Sequence, residues 1–304
     1  MPGLLEGKAV IVTGGGRGVG RGIARLAAAE GSSVVVNDLG VAPSGARTDN
    51  PVDDVVAEIK AAGGTAVACR DSVATWVSAQ KIVQCAMDSF GRIDGVVNNA
   101  GILRDVLFHK LSPEDFDAVL DVNLRGPFFV SRAAAPHFRD QRAGAYIHMT
   151  STAALIGNMG QANYMAAKMG LVGLSASIAL DMRHFGVSSN CIAPFAWTAM
   201  VSTIPATTPE AQKRVEGLKR LLPERIAPFA VALLCDEGRA RVTGQVFGVR
   251  NNEIILFSKT RPIQIMHTSD GWTPDSVIER VLPAMEHNFL PPMFSRDVFS
   301  WDPV

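Results

Sequence analysis

Short, continuously apolar runs alternate with longer segments whose apolar positions recur at helical spacing. Residues 9–12 (Ala-Val-Ile-Val) predict a strand, and residues 20–30, with small and apolar side chains on one face, predict a helix that Gly31 stops. Residues 34–36 are the next strand, ending at Asn37-Asp38, and residues 52–62 a helix closed by Gly63-Gly64. Residues 66–69, 73–90 and 95–98 continue as strand, helix and strand. Strands that are apolar throughout, rather than at alternate positions, are covered on both faces, as in a parallel sheet between helical layers. Right-handed crossovers then predict an α/β fold, a doubly wound parallel sheet in three layers, α/β/α.

The second half keeps the rhythm. Ser112 is a helix cap, Pro113 suits the first helical position, and Glu114 and Asp115 favour the positive end of the helix dipole. The apolar face that follows, Phe116, Val119, Leu120, Phe128 and Val130, predicts one long helix. Residues 145–149 read as a strand, 162–185 as a helix and 188–192 as a strand. Thr208-Pro209-Glu210 opens another helix, residues 223–235 are helical, and 245–249 form the last expected strand. From about Asn251 the pattern fades: residues 251–304 hold 6 of the 17 prolines, and only 274–286 look helical. The expected organisation is therefore a dinucleotide-binding domain over residues 1–250 and a C-terminal extension over 251–304.

Composition narrows the function. With 47% apolar residues and 29 basic against 29 acidic side chains, the chain has neither the low hydrophobicity nor the charge surplus of a disordered protein. The same balance argues against a nucleic-acid partner, which calls for a basic excess. Cys69, Cys85, Cys191 and Cys235 are widely spaced, as expected of plain thiols in a reducing compartment. His109, His137, His148 and His184 show no metal-ligand spacing, so no metal is expected. Without a secretory leader or a long apolar run, a cytoplasmic protein with no membrane partner is the expectation.

Three constellations carry chemistry. Thr13-Gly14-Gly15-Gly16-Arg17-Gly18-Val19-Gly20 follows the first strand and opens the first helix, where glycines allow close approach and free N–H groups attract a pyrophosphate. Taken alone, it also fits a plain tight corner. Asp38 ends the second strand, where a carboxylate can accept both hydroxyls of an adenosine ribose and repel a 2′-phosphate. This favours NAD over NADP, although Arg17 could attract the extra phosphate. Tyr164 and Lys168, four apart on a predicted helix, share a face. A nearby ammonium is expected to lower the phenol pKa and make Tyr164 an acid/base for an alcohol oxygen. The pair alone also fits an exposed helix face. Ser151, just after a strand, offers a hydroxyl to the same oxygen.

In order and spacing, Thr13–Gly20, Asn98-Asn99-Ala100-Gly101, Asn123, Ser151 and Tyr164–Lys168 resemble the short-chain dehydrogenase/reductase superfamily over roughly residues 7–249. The resemblance implies a Rossmann-type domain and hydride transfer between NAD(P) and an alcohol or carbonyl. It implies Tyr164 as the acid/base, Lys168 on the nicotinamide ribose, Ser151 orienting substrate, and Asn123 supporting a proton relay. It also implies Gly14, Arg17, Gly18, Val19, Gly20, Asp38, Asp71, Ser72, Asn99, Ala100, Gly101, Pro194 and Thr198 around the cofactor. Asn37–Gly40, Asp71–Val73, Asn98–Asp105, Gly160–Tyr164 and Ala166–Gly173 are further similar to the (3R)-hydroxyacyl-CoA dehydrogenase unit of peroxisomal multifunctional enzymes type 2. That likeness implies NAD and a 3-hydroxyacyl-CoA, including thioesters with steroid or other bulky acyl groups, handled by a free-standing enzyme of bacterial type. Free hydroxysteroids and 3-oxoacyl thioesters stay open as substrates. So does a non-catalytic, nucleotide-binding role.

One departure stands out. The superfamily commonly has Pro-Gly after the sixth strand, where this chain has Pro194-Phe195-Ala196-Trp197-Thr198. Phe195 and Trp197 either shape a wide apolar substrate pocket or belong to the core. The apolar faces of 116–130 and 162–185 exceed what one sheet face needs, and the matching helices pair across dimers in the superfamily. A homodimer or homotetramer is therefore expected.

Overall fold

A computed structural model describes residues 2–41, 51–198 and 208–302. Eight strands form one sheet: β1 Ala9–Thr13, β2 Ser33–Asn37, β3 Thr65–Cys69, β4 Gly95–Asn98, β5 Gly144–Met149, β6 Val187–Phe195, β7 Val246–Arg250 and β8 Glu253–Leu256. Their order is β3-β2-β1-β4-β5-β6-β7-β8. Every pairing is parallel except β7 with β8. The main helices are α1 Gly18–Ala29, α2 Pro51–Ala61, α3 Trp76–Phe90, α4 Pro113–Leu120, α5 Gly126–Gln141, α6 Thr152–Leu155, α7 Ala162–Asp181, α8 Pro209–Lys219 and α9 Ala227–Leu234.

Side-chain alternation along each strand feeds two cores. From β1, Val10 and Val12 pack with Ile23 and Ala27 of α1, Val55 and Ile59 of α2, and Ala230 and Val231 of α9. Ile11 faces the other way, into Ile82 and Val83 of α3 and Val130, Ala134 and Phe138 of α5. This is the expected three-layer architecture, and it explains why the strands are apolar at every position. Beside β1 the chain winds outward in opposite directions, through β2 on one side and β4 on the other. The loops after β1 and β4 therefore diverge and leave a crevice at their carboxyl ends.

Two differences from the sequence pattern matter. The expected long helix over 116–130 is interrupted by a wider π turn at Asp121–Arg125 between α4 and α5. Pro127 is the cause: in a regular helix its N–H would bond the Asn123 carbonyl, and proline has none. Gly126 N–H instead reaches back five residues to Asp121 O. The sheet also runs past residue 250. Asn251, at φ +51°, turns the chain so that β8 pairs antiparallel with β7, Arg250 opposite Glu253. Asparagine tolerates this left-handed backbone, which is why a two-residue Asn-Asn turn suffices. Beyond β8 the chain is extended, then helical over residues 274–288, and it returns to the body near Gly157, Phe195 and Arg250. Among the described residues, no helix is long and apolar enough to cross a membrane.

Candidate active site

At the carboxyl end of β1 the glycine-rich turn folds against the loop after β4. A Cβ on Gly14, whose φ is +62°, would lie 2.8 Å from Ala100 Cα, and one on Gly20 would lie 2.1 Å from the Gly14 carbonyl oxygen. Asn99 spans the gap, its side-chain amide donating to the carbonyls of Thr13 (3.1 Å) and Gly14 (2.9 Å). Thr13 Oγ1 accepts from the N–H groups of Asn99 and Ala100. Arg17 is the N-cap of α1 and Val19 is buried behind the turn. A Cβ on Gly18 would lie 3.3 Å from the Thr198 methyl, so Thr198 closes over the start of α1. The turn thus keeps a tight backbone next to a helix N-terminus, which is the shape and polarity that suit a pyrophosphate.

Asp38 is aimed by two backbone N–H groups, Gly16 to one carboxylate oxygen (3.2 Å) and Gly40 to the other (2.9 Å). It places a negative charge beside the turn, which suits two ribose hydroxyls and opposes a phosphate. Asn37 joins the ends of β2 and β3 by donating to Cys69 O and to Asp71 O (2.8 Å). Ser72 accepts from Ala74 N–H and so shapes the loop after β3. The predicted cofactor residues therefore gather along one line of strand ends.

Tyr164, Lys168, Ser151 and Asn123 meet at the ends of β4 and β5. Ser151 caps the short helix α6, accepting from Ala153 N–H at 3.2 Å, and its hydroxyl favours the ionised form of the Tyr164 phenol. Lys168 is buried, donates to Met149 O at 2.7 Å, and holds its ammonium 5.7 Å from the Tyr164 ring centre. Thr150 ties the end of β5 to the same helix by donating to Lys168 O at 2.7 Å. Asn123, fully buried in the π turn, clamps the loop after Gly101: its Oδ1 accepts from Ile102 N–H (2.8 Å) and its amide donates to Ile102 O (3.0 Å). Pro127, which has no N–H, cannot supply the regular helical donor to the Asn123 backbone carbonyl. A Cβ on Gly101 would lie 3.4 Å from Asn123 Oδ1 and 3.7 Å from Lys168 Nζ, so these two groups share one small space.

The electrostatics correct one expectation. Tyr164 is not lowered: burial pushes its phenol up to about 12, the Ser151 hydrogen bond opposes this, and the charge on Asp105 adds to it. Burial also brings Lys168 down to about 8. Desolvation penalises both charged forms and is the largest cause of each shift. A protonated phenol here can donate a proton, and added positive charge or a strong hydrogen-bond donor beside it would favour the phenolate that a base needs.

On the substrate side, Phe195 packs against the C-terminal tail. Its ring meets Phe299 edge to face at 4.9 Å, with the Arg250 guanidinium 5.9 Å from its centre. Pro194 precedes it in β6, and the backbone N–H of Trp197 donates to Leu221 O (2.7 Å). Sequence reasoning assigned no role to Asp105, Gln161 and Asn163. Asn163 donates to Arg104 O (3.0 Å) and accepts from Tyr164 N–H (2.8 Å), fixing the start of α7 beside the loop after β4. Their signal was two short motifs, Asn98–Asp105 and Gly160–Tyr164, whose contact is visible only once folded.

Comparison with known proteins gives the same direction. A short-chain type dehydrogenase/reductase of Mycobacterium tuberculosis is 50% identical over 238 residues, covering 78% of this chain and 80% of that one. The peroxisomal multifunctional enzyme type 2 of Mus musculus is 45% identical over 276 residues, 90% of this chain but 36% of its own length. The hydroxyacyl-CoA dehydrogenase ChsB1 of Mycobacterium tuberculosis is 35% identical over 284 residues, covering 89% and 86%. The crystal structure of a short chain dehydrogenase from Mycobacterium avium superposes with a TM-score of 0.83 at 38% identity, over 96% of this chain and 98% of that one. The short chain dehydrogenase family model matches residues 8–208, a span that holds the glycine-rich turn, Asp38 and the Ser151, Tyr164 and Lys168 cluster. The chain is a member of the short-chain dehydrogenase family, and its enzymatic class is oxidoreductase.

Proposed function

We propose that this enzyme oxidises the 3-hydroxyl of a 3-hydroxyacyl-CoA, with NAD as its cofactor, or runs the reverse reduction. The observation that carries the reading is the meeting of Tyr164, Ser151, Lys168 and Asn123 at one end of the sheet, beside a turn that leaves a carboxylate, Asp38, facing the ribose side. The likeness to a hydroxyacyl-CoA dehydrogenase along most of both chains supports the thioester over a free steroid. Bulky or steroid-bearing acyl groups are within this reading, which places the enzyme in lipid metabolism.

Gly14, Arg17, Gly18, Val19 and Gly20 would hold the pyrophosphate, Asp38 the ribose hydroxyls, and Asp71, Ser72, Asn99, Ala100 and Gly101 the adenosine side. Pro194 and Thr198 would border the nicotinamide. The bound dinucleotide supplies the hydride acceptor and, when oxidised, a positive charge. Ser151 donates to the substrate oxygen and orients it. Tyr164 takes the hydroxyl proton during oxidation and returns it during reduction. Lys168 holds the ribose and supplies the ammonium that favours phenolate, and Asn123 steadies the loop that closes over both. Exposed Phe108 and Phe128 support association into a homodimer or homotetramer.

The test is turnover of NAD with 3-hydroxyacyl thioesters, followed by absorbance of reduced nicotinamide. Tyr164→Phe should reduce kcat by roughly a thousandfold while NAD affinity stays within a small factor. Wild-type turnover on free hydroxysteroids alone would overturn the thioester reading, and an undiminished Tyr164→Phe rate would remove Tyr164 from the chemistry.

A further inference from the structure

Beside the glycine-rich turn two opposite charges stand on neighbouring strand ends and do not pair. Asp38 and Arg70 follow the last residues of β2 and β3, Asn37 and Cys69, which are register partners in the parallel ladder. Asp38 N–H donates to Cys69 O at 3.1 Å, so the two strands stay together up to these side chains. Neighbouring strands lie about 4.8 Å apart, well within the reach of an arginine. Yet the Asp38 carboxylate takes its bonds from the N–H groups of Gly16 and Gly40, and among the described residues it has no ion pair. The Arg70 guanidinium turns instead to Asp53, its ion-pair partner in the first turn of α2. That helix is seated on the turn. A Cβ on Gly16 would lie 3.0 Å from Asp38 Oδ2 and 3.0 Å from the ring of Pro51, the first residue of α2. Gly16, Asp38 and the start of α2 therefore border one space, and the Asp53–Arg70 pair joins that helix to the end of β3.

A guanidinium released at this place would act against NAD in two ways. Paired with Asp38, it would occupy the oxygens that accept the ribose hydroxyls and cancel the charge that opposes a phosphate. Turned to the ribose, it would attract a 2′-phosphate, the usual task of an arginine near this position. We propose that Asp53 is a specificity-determining residue for the dinucleotide: by pairing with Arg70 it keeps that cation off Asp38 and off a 2′-phosphate, so that NAD is taken and NADP refused. Asp53 touches neither dinucleotide in this scheme and acts as a positioning residue, through Arg70. The inference rests on the NAD reading above and deepens it. Both side chains are about half exposed, 47% for Arg70 and 49% for Asp53, so the effect of the pair is modest in size.

The experiment is calorimetric titration of NAD and of NADP into wild-type protein, Asp53→Asn, Arg70→Ala and the double variant. Asp53→Asn keeps a side chain that suits a helix start and removes the charge. It should lower the ratio of the NADP Kd to the NAD Kd about two- to fivefold, and added salt should shrink that change. The double variant should return to the wild-type ratio, since no cation is left to misdirect, and Arg70→Ala alone should leave the ratio unchanged. An unchanged ratio in Asp53→Asn would overturn the proposal. So would the same drop with Arg70 already replaced, which would assign the effect to the charge of Asp53 itself. A parallel weakening of both dinucleotides would overturn it too, leaving the pair as a plain link between β3 and α2. Wild-type protein that binds NADP more tightly than NAD would sink the NAD reading instead, and the four-protein cycle would still decide the role of Asp53. If Arg70→Ala then weakened NADP, both would fall.

Discussion

From Thr13 to Gly20 the chain makes a turn whose neighbours lie within one or two side-chain lengths, and half of its residues or more are buried. From Phe257 to Asp302, beyond the last strand, no described residue is fully buried, and the chain touches the body at a few anchors. The turn is dense because a backbone that packs against itself has no room for side chains. The tail is sparse because it is laid over a finished sheet. Its hold is a cluster of specific contacts: the nearly buried Arg250 meets Glu253 at 3.0 Å and stacks 4.9 Å from the Trp301 ring, and Trp301 Nε1 donates to Glu253 at 2.7 Å. Phe299 packs between Phe195 and Trp301, and Ser295 donates both its N–H and its hydroxyl to Gly157 O. Density makes the turn intolerant of one added methyl. Sparseness predicts a tail that can detach while the body stays folded.

The largest effect should come from the dense region. Gly20→Ala puts a methyl 2.1 Å from a backbone oxygen and 2.5 Å from Asn99 Nδ2, which cannot both yield. A loss of about 3 kcal/mol in stability and of NAD binding is expected, measured by thermal unfolding and by ligand titration. A variant with native melting would mean that the turn is looser than its packing implies. Arg250→Ala should come next. It removes one of the two partners of Glu253 and the platform under Trp301, costing about 2 kcal/mol. Limited proteolysis should then cut within residues 257–302 while the remaining α/β body stays folded. If body and tail melt together instead, they form one cooperative unit and the contrast fails. Phe299→Ala is the mildest, about 1 kcal/mol, and should raise the rate of tail cleavage without altering NAD affinity. A change in NAD affinity would show that the tail reaches the cofactor half of the site.

Much of the site could be read before folding because its chemistry is local. The glycine-rich turn and Asp38 sit at strand ends, and a four-residue spacing puts Tyr164 and Lys168 on one helical face whatever the rest of the chain does. The π turn was written in the sequence as Pro127, but its effect falls on Asn123, one helical turn earlier, and is easily missed. β8 was missed although Ile254–Phe257 is a continuous apolar run; the exposure of Ile254 and Leu256 marks it as an edge strand, which the sequence alone does not tell.

What the sequence determined by itself is the succession of strands and helices, the doubly wound layering and a candidate set of reactive groups. These follow from periodicity, backbone sterics and spacing along a single element. Only the tertiary structure decided the state of those groups. Burial, not the neighbouring ammonium, sets the phenol of Tyr164. Gln161 orients Asp105 across 56 positions of sequence, and Phe195 is claimed by a ring from the far end of the chain. The physical reason is common to all three: desolvation, long-range hydrogen bonds and packing depend on which distant segments come together, and no local pattern encodes that.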